Sequence, residues 1–119
     1  IGDISQIEVQ NLPNRCYDSL QGKHTDVPST RKIEQGVDCI YRLEKDKTFL
    51  VDKAFNRRIQ ITHHHADSIV LWNPWEKTPS AMKADGYRNM VCIETARLEK
   101  LLQFGESISA EITALPADI

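Results

Sequence analysis

The sequence predicts an all-β protein, built as an antiparallel sandwich or barrel. Short apolar stretches are separated by turn formers, and most of them show the two-residue periodicity of a strand with one buried face. No long helical pattern lies between them, which argues against the alternating helices of a parallel sheet. The 119 residues have the size of a single domain with one hydrophobic core.

Seven stretches have the apolar pattern of a strand. They are residues 6–10, 37–43, 48–51, 58–62, 69–72, 90–95 and 107–114. The third and fourth flank a short turn at residues 52–56, as the arms of a hairpin would. The fifth, Ile69-Val70-Leu71-Trp72, is continuously apolar, which predicts a strand buried on both faces.

The remaining segments show little strand periodicity. Residues 15–31 are rich in turn formers, so we expect a long loop there, with residues 17–19 anchored to the domain. Helical structure is confined to two short candidates. One is a single turn within residues 78–83, and the other is residues 98–102 with Gly105 as its C-terminal cap, for which a turn or loop is the alternative.

Charge and composition exclude several classes of function. A net charge of −2 and a pI near 6.1, with no basic face, argue against nucleic acid as a partner. No apolar stretch approaches the roughly 20 residues of a membrane span, and no secretory signal opens the sequence. Cys16, Cys39 and Cys92 have unrelated spacings, which favours reduced cysteines. We therefore expect a cytoplasmic protein without nucleic-acid or membrane partners.

The histidine triplet His63-His64-His65 is a candidate metal site. On a strand, His63 and His65 would point to the same face and could both bind a metal ion. However, the triplet lies between two predicted strands, and no further ligand recurs at a suitable spacing. The pattern therefore favours a turn lined with exposed histidines, and we expect neither a metal nor a cofactor.

Two carboxylates are candidates for acid–base chemistry. Asp38 and Glu94 lie on different predicted strands, which could bring them into one cleft. Glu94 ends the apolar run Met90-Val91-Cys92-Ile93, where an ionised group is costly to bury without a partner. The alternative for either acid is an ion pair with Arg or Lys.

Trp72 and Trp75 flank the dipeptide Asn73-Pro74 at the end of a predicted strand. Aromatic rings at such a point either pack in the core or stack on the C–H face of a sugar. From the residues alone, core packing is the favoured interpretation, with Pro74 ending the strand.

The segment from Trp72 to Glu94 also carries a specific combination of motifs. It reads Trp72-Asn73-Pro74-Trp75, Ala81-Met82, Asp85, Tyr87 and Asn89-Met90-Val91-Cys92-Ile93-Glu94, with upstream matches at Ile1-Gly2-Asp3-Ile4, Tyr17-Asp18, Val37-Asp38 and Tyr41, and a later one at Gly105-Glu106-Ser107. This combination resembles the hexose-6-phosphate mutarotases, which are aldose 1-epimerase-like proteins of the galactose-mutarotase superfamily. The resemblance covers essentially the whole chain.

The resemblance implies a fold and an activity. It implies that residues 1–119 are the C-terminal portion of a large antiparallel β-sandwich, the galactose-mutarotase-like supersandwich. It also implies an isomerase that interconverts the α and β anomers of a hexose 6-phosphate without a cofactor. In this family a glutamate at the position of Glu94 is the base, and Asp38, Trp72 and Asn73 fall in the sugar cleft.

The resemblance also implies that parts of the site lie outside this sequence. The family's acid histidine and its phosphate-binding arginines precede the segment that matches here, and none of the four histidines of this chain occupies the acid's place. We therefore expect a piece of a longer enzyme that is inactive alone and self-associates through exposed sheet edges. The alternative is a non-catalytic carbohydrate-binding or regulatory module on the same sandwich.

Overall fold

The computed structural model describes residues 1–116, which form two antiparallel β-sheets. The strands are β1 (Ile7–Gln10), β2 (Arg15–Asp18), β3 (Lys23–Asp26), β4 (Val37–Arg42), β5 (Lys47–Asp52), β6 (Arg57–His64), β7 (Ser68–Asn73), β8 (Cys92–Ala96) and β9 (Ser109–Pro116). The helical elements of the described residues are three short 3-10 turns, Ile4–Gln6, Lys53–Phe55 and Gly86–Asn89. The prediction of an all-β sandwich is confirmed.

The two sheets differ in the number and order of their strands. The four-stranded sheet has the order β1-β5-β6-β9, and the five-stranded sheet has the order β3-β2-β4-β7-β8. Every pairing between neighbouring strands is antiparallel. Strand β8 is therefore an edge of the five-stranded sheet, and β9 is an edge of the four-stranded sheet.

The core lies between the two sheets, because alternate residues of each strand point to the same face. Its buried side chains come mainly from the predicted strands, and they include Ile7, Val9, Val37, Cys39, Tyr41, Leu50, Ile69 and Leu71. Arg31 reaches into this core, where its guanidinium donates a hydrogen bond of 2.9 Å to the Tyr41 hydroxyl. Burial raises the pKa of Tyr41 to about 12, so the phenol stays protonated and accepts from Arg31 at neutral pH.

All seven predicted strands are present, but the loop predicted for residues 15–31 is wrong. Strands β2 and β3 form a hairpin there, and Tyr17 of β2 is paired with Ile40 of β4. The carboxylate of Asp18 accepts the amides of Leu20 and Gln21 and so stabilises the turn. The hairpin escaped detection because β3 is an edge strand with exposed residues, so its sequence does not alternate.

The two helices considered from the sequence are also absent from the described residues. The 3-10 turn forms at Gly86–Asn89 instead of within residues 78–83. Residues 98–100 do not form a helix, and their backbone amides all donate to the carboxylate of Asp67 at 2.8 to 3.3 Å. The segment after β8 is therefore folded onto the residue that precedes β7.

Asp67 makes the stability of this segment depend on pH. The amides of Lys100, Leu98 and Glu99 and the hydroxyl of Ser68 hold the pKa of the Asp67 carboxyl well below its ordinary value of 3.8. A depressed folded-state pKa contributes stability above the unfolded value, and the contribution is lost as the pH falls through the folded value. The Asp67 carboxylate therefore stabilises the fold at neutral pH but not in strong acid.

We expect Asp67→Asn to lower the thermal unfolding midpoint at neutral pH, and the difference from the unchanged protein to shrink progressively below about pH 4. Thermal unfolding followed by circular dichroism from about pH 7 to about pH 2 measures this. Asp26→Asn is the matched control, because the Asp26 carboxylate forms an exposed ion pair with Arg15. A difference that stays constant down to the lowest pH would contradict the assignment.

Candidate active site

Strand register places Asp38, Trp72 and Glu94 on one face of the five-stranded sheet. Asp38 is paired with Trp72, and Trp72 is paired with Cys92. In the adjacent row, Val70 is paired with Glu94. The intervening residues of β4 and β7 point into the core, so this face is directed away from the four-stranded sheet. We call it the open face.

The two acids lie on the open face without touching each other. Asp38 and Glu94 are two strands apart, which is about 10 Å, and two residues apart along the strand direction, so their Cα atoms are separated by about 12 Å. Among residues 1–116, neither carboxylate forms an ion pair. The pairing with Arg or Lys considered from the sequence is therefore not found for either acid.

Glu94 is exposed, contrary to the buried position that its sequence suggested. Strand β8 is a sheet edge whose other residues are half-buried, and the Glu94 side chain points to the open face. The same geometry corrects the expectation for residues 69–72. Val70 and Trp72 are half-buried on the open face, whereas Ile69 and Leu71 are buried in the core.

A pocket of about 570 Å³ lies beside Asp38 and Trp72 at one end of the open face. Its walls combine aromatic surface with hydrogen-bonding groups, and they include Asp18, Gln21, Gln35, Trp75 and Lys77. Such a mixture of ring faces and polar side chains is suited to a polyhydroxylated ligand. Glu94 is on the same face but outside the lining of this pocket.

Asn73 has a different position from the other predicted site residues. Its side chain lies on the core side of the sheet, and the residue is 1% exposed. The amide nitrogen donates to the carbonyl oxygens of Tyr87 (2.9 Å) and Met90 (3.0 Å), and the amide oxygen accepts from the Trp75 backbone at 2.7 Å. Asn73 thus organises the connection from β7 to β8, and its contact with a sugar stays a prediction.

Asn73 stabilises the backbone conformation of Trp75. Its φ of +55° is in the left-handed region, which is costly for a bulky residue unless the surroundings hold it there. The hydrogen bond to Asn73 and the ring of Tyr87, whose centroid is 4.9 Å from that of Trp75, provide this support. Trp75 is half-buried, so it both packs against the core and lines the pocket.

The turn of exposed histidines that the sequence favoured is found for part of the triplet, since His64 and His65 are exposed but His63 is not. Strand β6 extends to His64, so alternation directs His63 into the interior, where it is 3% exposed. Its ring nitrogens lie 2.9 Å from the Thr48 hydroxyl and 2.7 Å from the Thr95 hydroxyl. Burial lowers the pKa of His63, which favours the neutral ring. No group of three potential metal ligands is found among the residues that the structure describes.

Cys92 is a residue of the open face that the sequence did not single out as functional. It is half-buried and free, and it is paired with Trp72 on the neighbouring strand. Burial and, to a lesser extent, the charge of Glu94 raise the pKa of its thiol, so the thiol is poorly reactive. Cys92 and Glu94 are two residues apart on a strand, and this spacing in the sequence indicates that they share a face.

The aldose 1-epimerase family model matches residues 1–114. This chain therefore belongs to the aldose 1-epimerase family. The two-sheet fold and the acids on the open face, described above, are consistent with that membership.

Three curated relatives carry the name "Putative glucose-6-phosphate 1-epimerase". The Haemophilus influenzae protein is 52% identical over 113 residues, which are 95% of this chain and 42% of the relative. The Cenchrus ciliaris protein is 32% identical, with 84% of this chain and 32% of the relative covered. The Escherichia coli protein is 31% identical, with 81% and 34% covered. This chain thus spans less than half the length of these relatives.

Two solved structures have the same fold. The crystal structure of HI1317 has a TM-score of 0.95 and 51% identity, covering 97% of this chain and 43% of the other. A structure described as "a putative mutarotase" from Salmonella typhimurium has a TM-score of 0.88 and 26% identity, covering 98% and 42%. The fold is therefore the mutarotase-like β-sandwich.

None of the helical turns between residues 1 and 116 has the length and apolar character that a membrane crossing requires.

We expect Asn73→Ala to lower the free energy of unfolding by about 2 to 3 kcal/mol. The substitution removes three hydrogen bonds at a buried site, so that two carbonyl oxygens and one backbone amide lose their partner. Urea unfolding followed by fluorescence measures both stability and the environment of Trp75. Asn14→Ala is the control, since within residues 1–116 the exposed Asn14 side chain makes one long hydrogen bond of 3.4 Å. Equal stability of the two variants would show that Asn73 does not hold this connection.

Proposed function

We propose that the protein containing this chain interconverts the α and β anomers of a hexose 6-phosphate. The observation that carries the proposal is the family match over residues 1–114, in a chain whose open face presents Asp38, Trp72 and Glu94 together. The names of the relatives support glucose 6-phosphate as the first substrate to test. We further propose that this chain is the C-terminal part of the enzyme.

In the proposed mechanism, Glu94 takes the proton from the hydroxyl on C1 of the sugar. The ring C1–O5 bond breaks as a C1 carbonyl forms, and an acid protonates the ring oxygen. Rotation about the C1–C2 bond followed by ring closure on the other face gives the second anomer. A base and an acid with complementary protonation states are the requirements of such a reaction.

We assign the acid to a group outside these 119 residues. His63 is buried between the sheets, and His64 and His65 are on β6 and its following turn, away from the open face. His24 is on β3, in the row that runs through Tyr17, Ile40 and Val70 to Glu94, and four strand spacings separate it from Glu94 by roughly 19 Å. None of the four is positioned to act on the same sugar ring as Glu94.

The geometry of the open face supports a role in sugar binding for Asp38 and Trp72. Asp38 has no ion-pair partner among the described residues, so its carboxylate oxygens are free to accept hydrogen bonds from sugar hydroxyl groups. Trp72 presents part of its ring between Asp38 and Cys92. A hexose lying across Trp72 and Val70 would have Asp38 on one side and Glu94 on the other.

A non-catalytic sugar-binding module is the second candidate function, and the exposure of Glu94 favours it. A carboxylate that faces water takes a proton from a sugar hydroxyl less readily than one from which a ligand or another part of the protein excludes water. The rate of anomer exchange distinguishes the two candidates. Both would bind a hexose phosphate, but only an enzyme would accelerate the exchange.

We expect Glu94→Gln in the full-length protein to reduce kcat/KM for anomer exchange of glucose 6-phosphate by about 10²- to 10⁴-fold, the usual contribution of a general base. Exchange-spectroscopy NMR at equilibrium measures the rate without a coupled enzyme. Glu111→Gln is the matched control, because Glu111 is exposed on β9 of the other sheet. Wild-type exchange in Glu94→Gln would remove Glu94 as the base. Binding without any exchange in the unchanged protein would favour the sugar-binding module.

We also propose that the 119-residue chain studied alone self-associates through its sheet edges. Strands β8 and β9 border a groove of about 460 Å³ lined by apolar side chains, including Ile61, Ile93, Ile108 and Ile112. Ile112 is 70% exposed on the edge strand β9. Exposed apolar edge strands favour pairing with another chain.

Sedimentation velocity over a range of concentrations tests this proposal, and we expect dimers or larger species as concentration rises. Ile112→Lys should shift the distribution towards monomer, because a charge on an edge strand opposes pairing. Leu20→Lys, a similarly exposed leucine at 64%, is the control that should leave association unchanged. A chain that remains monomeric at high concentration would exclude self-association.

A further inference from the structure

The buried imidazole of His63 joins the two sheets of the sandwich. Its Nδ1 atom is 2.7 Å from the Thr95 hydroxyl on β8, and its Nε2 atom is 2.9 Å from the Thr48 hydroxyl on β5. The backbone amide of His63 donates to the carbonyl of Asp46 at 2.7 Å, which fixes the end of β6 against the segment before β5. The imidazole thus connects β8 to a rigidly held position in the four-stranded sheet.

Strand β8 is an edge strand, and its Thr95–His63 bond reaches across the core to the four-stranded sheet. Among the described residues it is paired with β7 on one side only. The groove of about 460 Å³ lies beneath it, and Val91, Ile93 and Thr95 line that groove. Apolar side chains that face a groove give weak directional restraint, whereas a hydrogen bond fixes both distance and angle.

Thr95 transmits this restraint to Glu94. The two residues share a peptide unit, and their side chains point to opposite faces of the sheet. Thr95 is paired with Ile69, which is buried in the core, and Glu94 is paired with Val70 on the open face. Fixing the Thr95 side chain against the four-stranded sheet therefore fixes the direction in which the Glu94 side chain leaves the strand.

We infer that His63 is a positioning residue for Glu94, acting through the hydroxyl of Thr95. This inference rests on the proposed function, in which the Glu94 carboxylate must meet the C1 hydroxyl within hydrogen-bonding distance. A displacement of about 1 Å at a reacting group can cost about 100-fold in rate. The neutral imidazole has one donor and one acceptor nitrogen, and both threonine hydroxyls can supply the complementary role.

Substitution of Thr95 tests the connection with less risk to folding than substitution of the buried His63. Thr95→Val removes the hydroxyl and keeps the shape, whereas Thr95→Ser keeps the hydroxyl and removes a methyl group. In the full-length protein we expect Thr95→Val to lower kcat for glucose 6-phosphate anomer exchange by about 10- to 100-fold, with KM changed by less than about threefold. Thr95→Ser should stay within about threefold of the wild-type kcat. His64→Gln is the control for the neighbouring exposed histidine and should behave as wild type.

Amide hydrogen exchange provides a readout that does not depend on catalysis. We expect Thr95→Val to accelerate exchange of the β8 amides that bond to β7, while the amides of β4 keep their protection. Thr95→Ser should restore the protection of β8. This comparison separates a local loss of restraint from general destabilisation, which would affect both strands.

The two measurements distinguish failure of this inference from failure of the proposed function. If Glu94→Gln retains wild-type exchange of anomers, the proposed role of Glu94 fails, and so does positioning of a base. Wild-type protection of β8 in Thr95→Val would overturn the inference while leaving the proposed function intact. It is also overturned if Thr95→Val loosens β8 but leaves kcat of an active enzyme unchanged. Loss of both protection and kcat in Thr95→Val, with recovery in Thr95→Ser, supports it.

Discussion

The buried amide of Asn73 is the interaction on which the arrangement of the open face depends. It is placed at the end of β7, where it accepts from Trp75 and donates to the carbonyl groups of Tyr87 and Met90. These bonds close the 18-residue excursion from residue 74 to residue 91 and return the chain beside the strand it left. Without these bonds, the pairing register between β7 and β8, which places Glu94 opposite Val70, would not be fixed at its first residues.

Strand β8 is held at three places, and each restraint comes from a different part of the fold. Asn73 fixes the approach to the strand, the Thr95–His63 bond connects its second half to the four-stranded sheet, and the Asp67 carboxylate accepts hydrogen bonds from the amides that follow it. An edge strand with one hydrogen-bonded neighbour would otherwise fray readily. These polar contacts restrain β8 where the groove beneath it provides little packing. The exposed side chain of Glu94 therefore extends from a well-restrained backbone.

The exposure of Glu94 has a direct chemical consequence. A carboxylate accepts a proton more readily when water is excluded from it, because water stabilises the charged form. In the proposed mechanism Asp38, Trp72 and the pocket of about 570 Å³ would contact the sugar, but within the described residues Glu94 is exposed. In the proposed mechanism the bound sugar and the remainder of the enzyme must therefore supply the desolvation.

Apolar periodicity was sufficient to locate most of the strands that build the core. The alternation in residues 37–43 and the apolar run at 69–72 both correspond to central strands, because burial of one or both faces dictates their composition. The hairpin of β2 and β3 could not be found in this way. Its exposed edge strand carries polar residues on both faces, and only the pairing with β4 shows that it belongs to the sheet.

For the candidate site, the sequence named candidate residues but did not predict their surroundings. Asp38 and Glu94 were identified as possible partners from residue type and strand position, but their relation to one another is set by pairings across β7. The role of His63 illustrates the same limit. A triplet of histidines looks like a turn or a metal site, and only the extension of β6 directs one ring into the interior beside Thr48 and Thr95.

The sequence by itself therefore determined the strand-rich architecture, the family resemblance and the candidate acids, because local periodicity and residue type are written in the chain. Tertiary structure alone decided which face each acid occupies, that Asn73 supports the site from behind, and that Glu94 is exposed. The physical reason is that burial and hydrogen-bond partners come from residues distant in sequence. A shift of one residue in strand register would reverse every one of those assignments.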